Sequence, residues 1–313
     1  MNEIAFDKIL VALRAAGEET RLRILALFRT GELTVTELVT ILRQSQPRVS
    51  RHLRLLCEAG LLERYREGTW IFYRLSEKGR EGQLARSIMD YIPQSDQMLQ
   101  HDKDHLEEVK KERNQKAAAY FSENAGNWDK IRSLYVSEAE VEKNLLELTA
   151  DMKIDDFLDV GTGTGRILEV FSDRINRGVG IDLSSEMLSI ARVNLEKANV
   201  NNCQVRRGDM YDLALEDESM DLVLFHQVLH FASDPASALK EAHRMLRPSG
   251  RAIVVDFAPH DLEYLREDHA HRRLGFREDE MDAWFKSVGL MCKNVKHLKG
   301  TELDVTIWLA HKK

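Results

Sequence analysis

Cysteine, proline and long apolar runs are all scarce in this chain of 313 residues. The three cysteines, Cys57, Cys203 and Cys292, are far apart and show neither metal-site nor redox spacing, so we expect idle thiols in a reducing compartment. No apolar run approaches the roughly 18–20 residues that a membrane span needs. Residues 1–4 contain no basic segment followed by an apolar stretch, so we expect no signal peptide, no membrane partner and a cytoplasmic location.

The net charge of −7 conceals an uneven distribution. Residues 1–92 contain 15 Lys and Arg against 12 Asp and Glu, whereas the remainder of the chain contains 30 against 40. A basic N-terminal part can face an anionic polymer while an acidic remainder repels it. The length leaves room for two domains, each with its own core.

Apolar spacing in the N-terminal part predicts four short helices followed by a β-hairpin and a further helix. Thr34 or Thr36 can cap the third helix, and Pro47 suits the first turn of the fourth. Residues 61–66 and 69–75 flank a Glu-Gly pair, which is typical of a hairpin with a glycine turn.

The fourth helix gives the strongest indication of function in this part of the chain. Val49, Leu53 and Leu56 are spaced i, i+4 and i+7 and should face the core. The opposite face and the hairpin then present side chains that can read base edges or fix phosphates. These are Gln46, Arg48, Ser50, Arg51 and His52 on the helix, and Arg64, Arg66 and Thr69 on the hairpin. A charged solvent face is the alternative, but two helices followed by a wing-like hairpin favour DNA binding.

Three separated segments resemble, in sequence and in order, the ArsR/SmtB family of winged-helix repressors: 19–25 (ETRLRIL), 45–53 (SQPRVSRHL) and 66–73 (REGTWIFY). The resemblance covers about residues 4–90. It implies a homodimer that forms through the first and last helices and binds a double-stranded DNA operator. Many members sense metals through a Cys-x-Cys pair at the start of the third helix. Thr34 and Thr36 stand at those positions here, and because threonine is a poor ligand for soft metals we expect no metal site.

Residues 94–116 are polar and contain neither Pro nor Gly, which predicts a solvated helical linker. From Ile154 onward, apolar strands alternate with helices, and this pattern predicts a doubly wound α/β sheet with a final hairpin. The strand candidates are residues 157–160, 179–181, 203–206, 222–225, 252–256, 291–297 and 304–310.

Residues 157–165 read FLDVGTGTG, the form of a strand that ends in a glycine-rich turn and opens a helix. Asp159 precedes the turn, while Asp182 and Asp209 follow the next two strands. A carboxylate at the second position can accept both ribose hydroxyls of a nucleotide-like ligand, and one at the third can take the amino group of adenine. The alternative is that these acids only cap helices or close a turn.

This set resembles class I S-adenosylmethionine-dependent methyltransferases of the ubiquinone/menaquinone type, over about residues 117–311. The resemblance implies S-adenosylmethionine as cofactor and S-adenosylhomocysteine as product. The cofactor-binding residues that it implies are Asp159, Gly161, Gly163, Gly165, Asp182, Met187, Asp209, Met210 and His226. Tyr120, Trp128 or Tyr135 could face the sulfonium through a cation–π contact, or could simply pack in the core.

The methyl acceptor is less well indicated. His226 and His230 follow the fourth strand at i and i+4 and are the candidate catalytic bases, although either could be a cleft histidine without a catalytic role. A later group could bind an anionic substrate or form a solvated helix face: His269, His271, Arg272 and Arg273.

Several acceptors are disfavoured by what the chain lacks. It has neither the Asn/Asp-Pro-Pro-aromatic run of amino-methylating DNA enzymes nor a Pro-Cys pair for attack on cytosine. Arsenite methylation needs several clustered thiolates, which the scattered cysteines do not provide. A small organic acceptor remains, or no acceptor at all.

We therefore predict an α/β two-domain protein. A winged helix-turn-helix would occupy residues 1–92, a helical linker 93–116, and a Rossmann-like methyltransferase domain 117–313. Two functions fit this arrangement. One is a DNA-binding regulator with a fused methyltransferase that acts on a small organic acceptor. The other is a catalytically silent sensor in which S-adenosylmethionine or S-adenosylhomocysteine controls operator binding.

Overall fold

The computed structural model describes residues 6–30, 32–67, 70–76, 79–93, 95–124 and 137–313. The chain divides into two compact units, Met1–Gln115 and Lys116–Lys313. Among these described residues, the first unit buries one hydrophobic cluster and the second buries two. No helix in the described ranges combines the length and apolar character needed to cross a bilayer.

The first unit is a winged helix-turn-helix. Its strands form a small antiparallel sheet in the order β1-β3-β2. The elements in chain order are α1 (Phe6–Ala16), α2 (Glu19–Leu27), β1 (Leu33–Thr34), α3 (Val35–Leu42), α4 (Gln46–Glu58), β2 (Leu62–Glu67), β3 (Trp70–Leu75), α5 (Gly79–Tyr91) and α6 (Gln97–Asn124), of which the residues up to Gln115 belong to this unit.

Local sequence signals explain where these helices begin. Thr34, not Thr36, caps α3, since its hydroxyl accepts from the N–H of Glu37 at 3.3 Å while the Glu37 carboxylate accepts from the N–H of Thr34 at 2.8 Å. Pro47 lies in the first turn of α4, as expected. The predicted stripe of Val49, Leu53 and Leu56 is fully buried.

The segment expected to be a solvated linker is helical, but one of its faces is buried. Leu106 and Val109 of α6 join the core of the first unit, and Asp102 is almost completely buried. The Asp102 carboxylate forms two hydrogen bonds of 2.7 Å with the guanidinium of Arg23 on α2. This buried face was not predicted from the sequence, because it consists of two apolar residues and one acid among many charged residues.

The second unit is a three-layer α/β structure around a seven-stranded sheet in the order β6-β5-β4-β7-β8-β10-β9. All neighbouring strands are parallel except β10, which is antiparallel to both β8 and β9. Its elements are α7 (Glu138–Leu148), β4 (Ile154–Val160), α8 (Arg166–Phe171), β5 (Ile175–Asp182), α9 (Ser185–Lys197), β6 (Cys203–Arg207), β7 (Met220–His226), α10 (Pro235–Met245), β8 (Leu246–Phe257), α11 (Tyr264–Glu267), α12 (Glu278–Ser287), β9 (Leu290–Leu298) and β10 (Val305–Lys312).

Every strand predicted from the apolar runs is present, and the doubly wound sheet with a final hairpin is confirmed. The sheet is buried on both faces, since separate apolar clusters pack against its two sides. The order β6-β5-β4-β7 places the carboxyl ends of four parallel strands along one edge, where ligands of such sheets bind.

We expect the ion pair between Arg23 and Asp102 to stabilise α6 against the core of the first unit. Replacing Asp102 by Asn leaves the guanidinium without its charge partner in a mostly buried position, so we expect a loss of about 2 kcal/mol, below the value for a fully buried pair. Amide hydrogen exchange along residues 97–112 of the full-length protein, measured across a urea series, should show earlier opening.

Glu107→Ala on the same helix is the matched control, because its ion pair with Lys110 is exposed and should contribute little. Equal protection of α6 in wild type and Asp102→Asn would show that the pair does not hold the helix.

Candidate functional site

The exposed face of α4 carries most of the residues predicted to bind DNA. Gln46, Arg48 and Arg51 are exposed, and Ser50 is half-buried beside them. The turn from α3 to α4 passes through Arg43, which is exposed and has a φ of 52°. This short turn brings the two helices together as a helix-turn-helix, with α4 in the position of the recognition helix.

The side chain of His52, also predicted to bind DNA, does not lie on this exposed face of α4. Its side chain is mostly buried and its Nδ1 is 3.5 Å from the carboxylate of Glu18, at the start of α2. Desolvation lowers the pKa of His52, although the Glu18 charge opposes that shift. The ring therefore contacts a neighbouring helix and does not belong to the exposed basic face.

Two further exposed arginines, Arg43 and Arg54, were not among the residues predicted to bind DNA. Arg54 is exposed one turn beyond Arg51, so that Arg48, Arg51 and Arg54 repeat at i, i+3 and i+6. Arg43 is exposed in the turn before the helix. The spacing of these arginines along the helix could have indicated from the sequence that Arg54 lies on the same face.

The hairpin supplies a second basic surface. Arg64 and Arg66 are both exposed on β2, and their spacing of two places them on one face of the strand. They pair in the hairpin with Tyr73 and Ile71. Thr69, also predicted to bind DNA, lies outside the described residues.

In the second unit, the glycine turn follows β4. Gly161, Gly163 and Gly165 all have positive φ values, of 73°, 53° and 82°. A Cβ on Gly161 would lie 2.4 Å from a methyl carbon of Val228, so only glycine fits there. The N–H groups of Gly161 and Thr162 donate to the carbonyl of Ile181 at 2.7 and 3.0 Å, which ties the turn to β5.

Asp159 and Asp182 both hold this turn. The buried Asp159 carboxylate accepts from the Thr162 hydroxyl at 2.7 Å. Asp182, at the end of β5, accepts from the N–H groups of Gly163 and Ser184, each at 2.9 Å. Desolvation raises the pKa of Asp182, and these backbone hydrogen bonds oppose that shift.

The remaining predicted cofactor residues follow β5 and β6. Asp209 accepts from the N–H of Tyr211 at 3.0 Å and lies just beyond β6. Met210 is half-buried against the core, and Met187 is buried in the first turn of α9. Because β6, β5 and β4 are neighbours, the sheet brings Asp209, Asp182 and the glycine turn to one edge.

His226 and His230 flank a strained turn at the end of β7. His226 is the buried last residue of the strand, and Gln227 follows with a φ of 51°. His230 is also buried, and its Nδ1 lies 2.7 Å from the carboxylate of Asp256 at the end of β8. Asp256 was missed as a site residue, although an acid that ends the apolar run AIVVD was the available signal.

The segment after β8 is not a solvated helix face. His271, Arg272 and Arg273 are buried in an irregular segment, and His269 is half-buried. The guanidinium of Arg273 lies 3.3 Å from Glu280 and 5.0 Å from the ring centre of Trp284, so it stabilises packing. The His271 ring stacks on His230, with 4.1 Å between ring centres.

Three aromatic residues considered for the sulfonium contact cannot be placed. Trp128 and Tyr135 lie outside the described residues, and so does the side chain of Tyr120.

Taken together, a glycine turn that admits no side chain and carboxylates at successive strand ends fit an adenosine-containing cofactor. They define the second unit as a Rossmann-like methyltransferase fold of class I, and S-adenosylmethionine is the cofactor of that class. The first unit is a winged helix-turn-helix of the DNA-binding type.

Comparison with known families agrees with both assignments. Residues 18–64 match the family described as bacterial regulatory protein, arsR family, and residues 158–254 match the methyltransferase domain family. This chain therefore joins an ArsR-family helix-turn-helix to a methyltransferase domain.

Individual relatives match the second unit. A malonyl-[acyl-carrier protein] O-methyltransferase from Marinomonas sp. (strain MWYL1) is 31% identical over 143 residues, which cover 44% of this chain and 52% of that protein. An arsenite methyltransferase from Aquipseudomonas alcaligenes is 31% identical over 136 residues, which cover 40% and 36%. The chain thus spans less than two thirds of the length of either relative.

Among solved structures, YcgJ from Bacillus subtilis has a TM-score of 0.50 at 20% identity, covering 56% of this chain and 99% of that one. At this level of identity the likeness shows the fold alone.

The exposed face of α4 predicts how substitution affects DNA binding. Arg51→Ala should weaken binding by about 1–3 kcal/mol if Arg51 reads a base edge, whereas loss of a phosphate contact should lower the salt dependence by about one ion. Fluorescence anisotropy with a DNA fragment selected from a random library, titrated at several salt concentrations, measures both quantities.

Arg192→Ala is the control, because Arg192 is exposed on α9 in the second unit. If Arg51→Ala and Arg192→Ala bind the fragment equally tightly, α4 is not the reading surface.

Proposed function

We propose that this protein is a DNA-binding transcriptional regulator whose fused domain transfers a methyl group from S-adenosylmethionine to a small organic acceptor. The observation that carries the proposal is the edge of the large sheet at which the glycine turn, Asp182 and Asp209 come together. It lies in the same chain as the arginine face of α4.

Each of these groups has a separate part in holding the cofactor. The Asp182 carboxylate would accept hydrogen bonds from the ribose hydroxyls, and Asp209 would accept from the adenine amino group. The glycine turn lets the backbone approach the ligand closely. When bound, S-adenosylmethionine supplies an electrophilic methyl group on its sulfonium.

Methyl transfer is an in-line displacement, so the protein contributes chiefly alignment, which can supply about 7–11 kcal/mol. Val228 packs against Gly161 of the cofactor turn, and it belongs to the same short segment as His226 and His230. This packing supports placing the acceptor beside these histidines, near the transferable methyl group.

The cysteines argue against arsenite as acceptor, despite the arsenite methyltransferase among the relatives. Cys203 lies on β6 and Cys292 on β9, which are the opposite edges of the seven-stranded sheet. Six strand spacings separate them, roughly 25–30 Å, so they cannot share one arsenic atom. A small organic acceptor agrees better with this geometry.

The N-terminal unit supports a homodimer. Phe6, Val11 and Leu13 of α1 expose apolar side chains, and Tyr91 at the end of α5 is 88% exposed. These are the first and last helices of the winged-helix fold, through which ArsR/SmtB proteins associate. A partner copy would remove this apolar surface from water.

A cofactor sensor is the second candidate function. The observation that favours it is that Asp102, Leu106 and Val109 anchor α6 in the core of the winged helix. This helix directly follows the DNA-binding elements in the sequence. Sensing requires that the ligand bind the DNA-competent and DNA-incompetent forms with different affinity.

The assignment of Asp182 predicts the effect of its removal. Asp182→Ala should weaken S-adenosylhomocysteine binding about 10- to 100-fold, the equivalent of charged hydrogen bonds worth about 1.5–3 kcal/mol. Isothermal titration calorimetry measures this affinity, and anisotropy measures DNA binding by the same sample.

Asp173→Ala is the control, since Asp173 is exposed and lies just before the amino end of β5, not at the carboxyl ends of the strands. An unchanged affinity in Asp182→Ala would overturn the ribose assignment. Operator affinity that depends on S-adenosylmethionine or S-adenosylhomocysteine, without release of S-adenosylhomocysteine in any acceptor assay, would favour the sensor over the enzyme.

A further inference from the structure

The carboxylate of Asp256 in the second unit is buried and accepts several hydrogen bonds. It is completely buried at the end of β8. Its Oδ1 accepts from the N–H of Phe257 at 2.8 Å and lies 2.7 Å from His230 Nδ1, while its Oδ2 accepts from the N–H of His230 at 3.2 Å. Both oxygens are therefore used, and the carboxylate has one orientation.

This geometry determines which nitrogen of His230 carries a proton. A carboxylate accepts hydrogen bonds, so Nδ1 of the neutral ring must be the donor, and Nε2 then has a free lone pair. The His230 carbonyl also accepts from the N–H groups of Arg272 and Arg273, each at 3.0 Å, which fixes the backbone of this residue.

Other titratable groups surround the pair, mainly on the segment after β8. Burial lowers the pKa of His271 well below its usual range, and it lowers the pKa of His260 to about 4. These two rings are neutral at pH 7. The titratable and charged groups around the pair include His260, Arg266, His269 and His271.

The surroundings are also aromatic. The His230 ring lies against Phe231, Phe257 and His271, at 4.0, 5.0 and 4.1 Å between ring centres. The Nδ1 atom of His271 is buried and has no hydrogen-bond partner among the described residues, so it can accept from, or donate to, a bound molecule.

We infer that His230 is the base that removes a proton from the methyl acceptor, that Asp256 positions it, and that the acceptor is an aromatic hydroxyl compound. This inference rests on the proposed methyltransferase function. A carboxylate acceptor is already ionised at neutral pH and needs no base, whereas a phenolic hydroxyl must lose its proton as it is methylated.

The step balances in atoms and charge. The acceptor oxygen forms a bond to the methyl carbon, the bond from that carbon to the sulfonium sulfur breaks, and S-adenosylhomocysteine leaves with the electron pair. The hydroxyl proton passes to Nε2 of His230. The Asp256 carboxylate stabilises the resulting imidazolium and holds the ring in orientation.

The test compares the full-length wild type with Asp256→Asn and His230→Gln. Release of S-adenosylhomocysteine is measured from pH 5.5 to 9.5 with phenol-, thiophenol- and benzoate-type probe acceptors. We expect turnover with phenols, a loss in kcat of about 100-fold or more in each variant, and little change in KM.

His297→Gln is the matched control, since this histidine is exposed on the edge strand β9 and should leave kcat unchanged. Calorimetry with S-adenosylhomocysteine separates the possible failures. Turnover that is insensitive to both substitutions, or confined to benzoates or thiols, overturns the inference alone. Cofactor binding without turnover of any probe overturns the methyltransferase function as well.

A second measurement does not depend on the variants folding. A long-range ¹H–¹⁵N correlation spectrum of the wild-type protein with ¹⁵N-labelled histidine reports the tautomer of each ring. A neutral His230 with the proton on Nδ1 supports the inference, and a proton on Nε2 overturns it.

Discussion

Close packing of the glycine turn against its neighbours constrains the whole cofactor edge of the large sheet. The turn donates two N–H groups to the carbonyl of Ile181 and leaves no space between Gly161 and Val228. Its left-handed backbone also directs the N–H of Gly163 to the carboxylate of Asp182. The segment that carries the candidate acceptor residues is thus packed on the element that receives the cofactor, and neither can shift without disturbing the other.

The buried carboxylate of Asp256 links the end of β8 to the segment that follows β7. Asp256 fixes His230, and His230 in turn accepts backbone hydrogen bonds from the segment after β8. The Gln227 N–H donates to the carbonyl of Val255 at 2.7 Å, while Gln227 itself adopts a left-handed conformation. A residue in a left-handed conformation that is fixed by a backbone hydrogen bond is typical of functional sites, where precise placement of side chains outweighs local stability.

Much of the fold was predictable because its signals are local. Alternating apolar strands and helices predicted the doubly wound sheet, and the glycine run at 161–165 predicted the turn. Other features depend on partners far away in the chain. In the sequence, Asp102 is one of many charged residues in a polar helix. Only the folded structure shows that it pairs with Arg23, which precedes it by 79 residues. His52 falls on the predicted DNA face by sequence, yet its ring turns towards Glu18.

The sequence by itself determined the elements, the motif spacings and the residue types that each strand end offers, because these follow from local propensity and periodicity. Only the tertiary structure decided which of those residues meet. Strand order brought Asp159, Asp182 and Asp209 to one edge, separated Cys203 from Cys292 on opposite edges, and paired His230 with Asp256. The physical reason is that sheet pairing and burial act between residues distant in sequence, so their outcome cannot be read from any short segment.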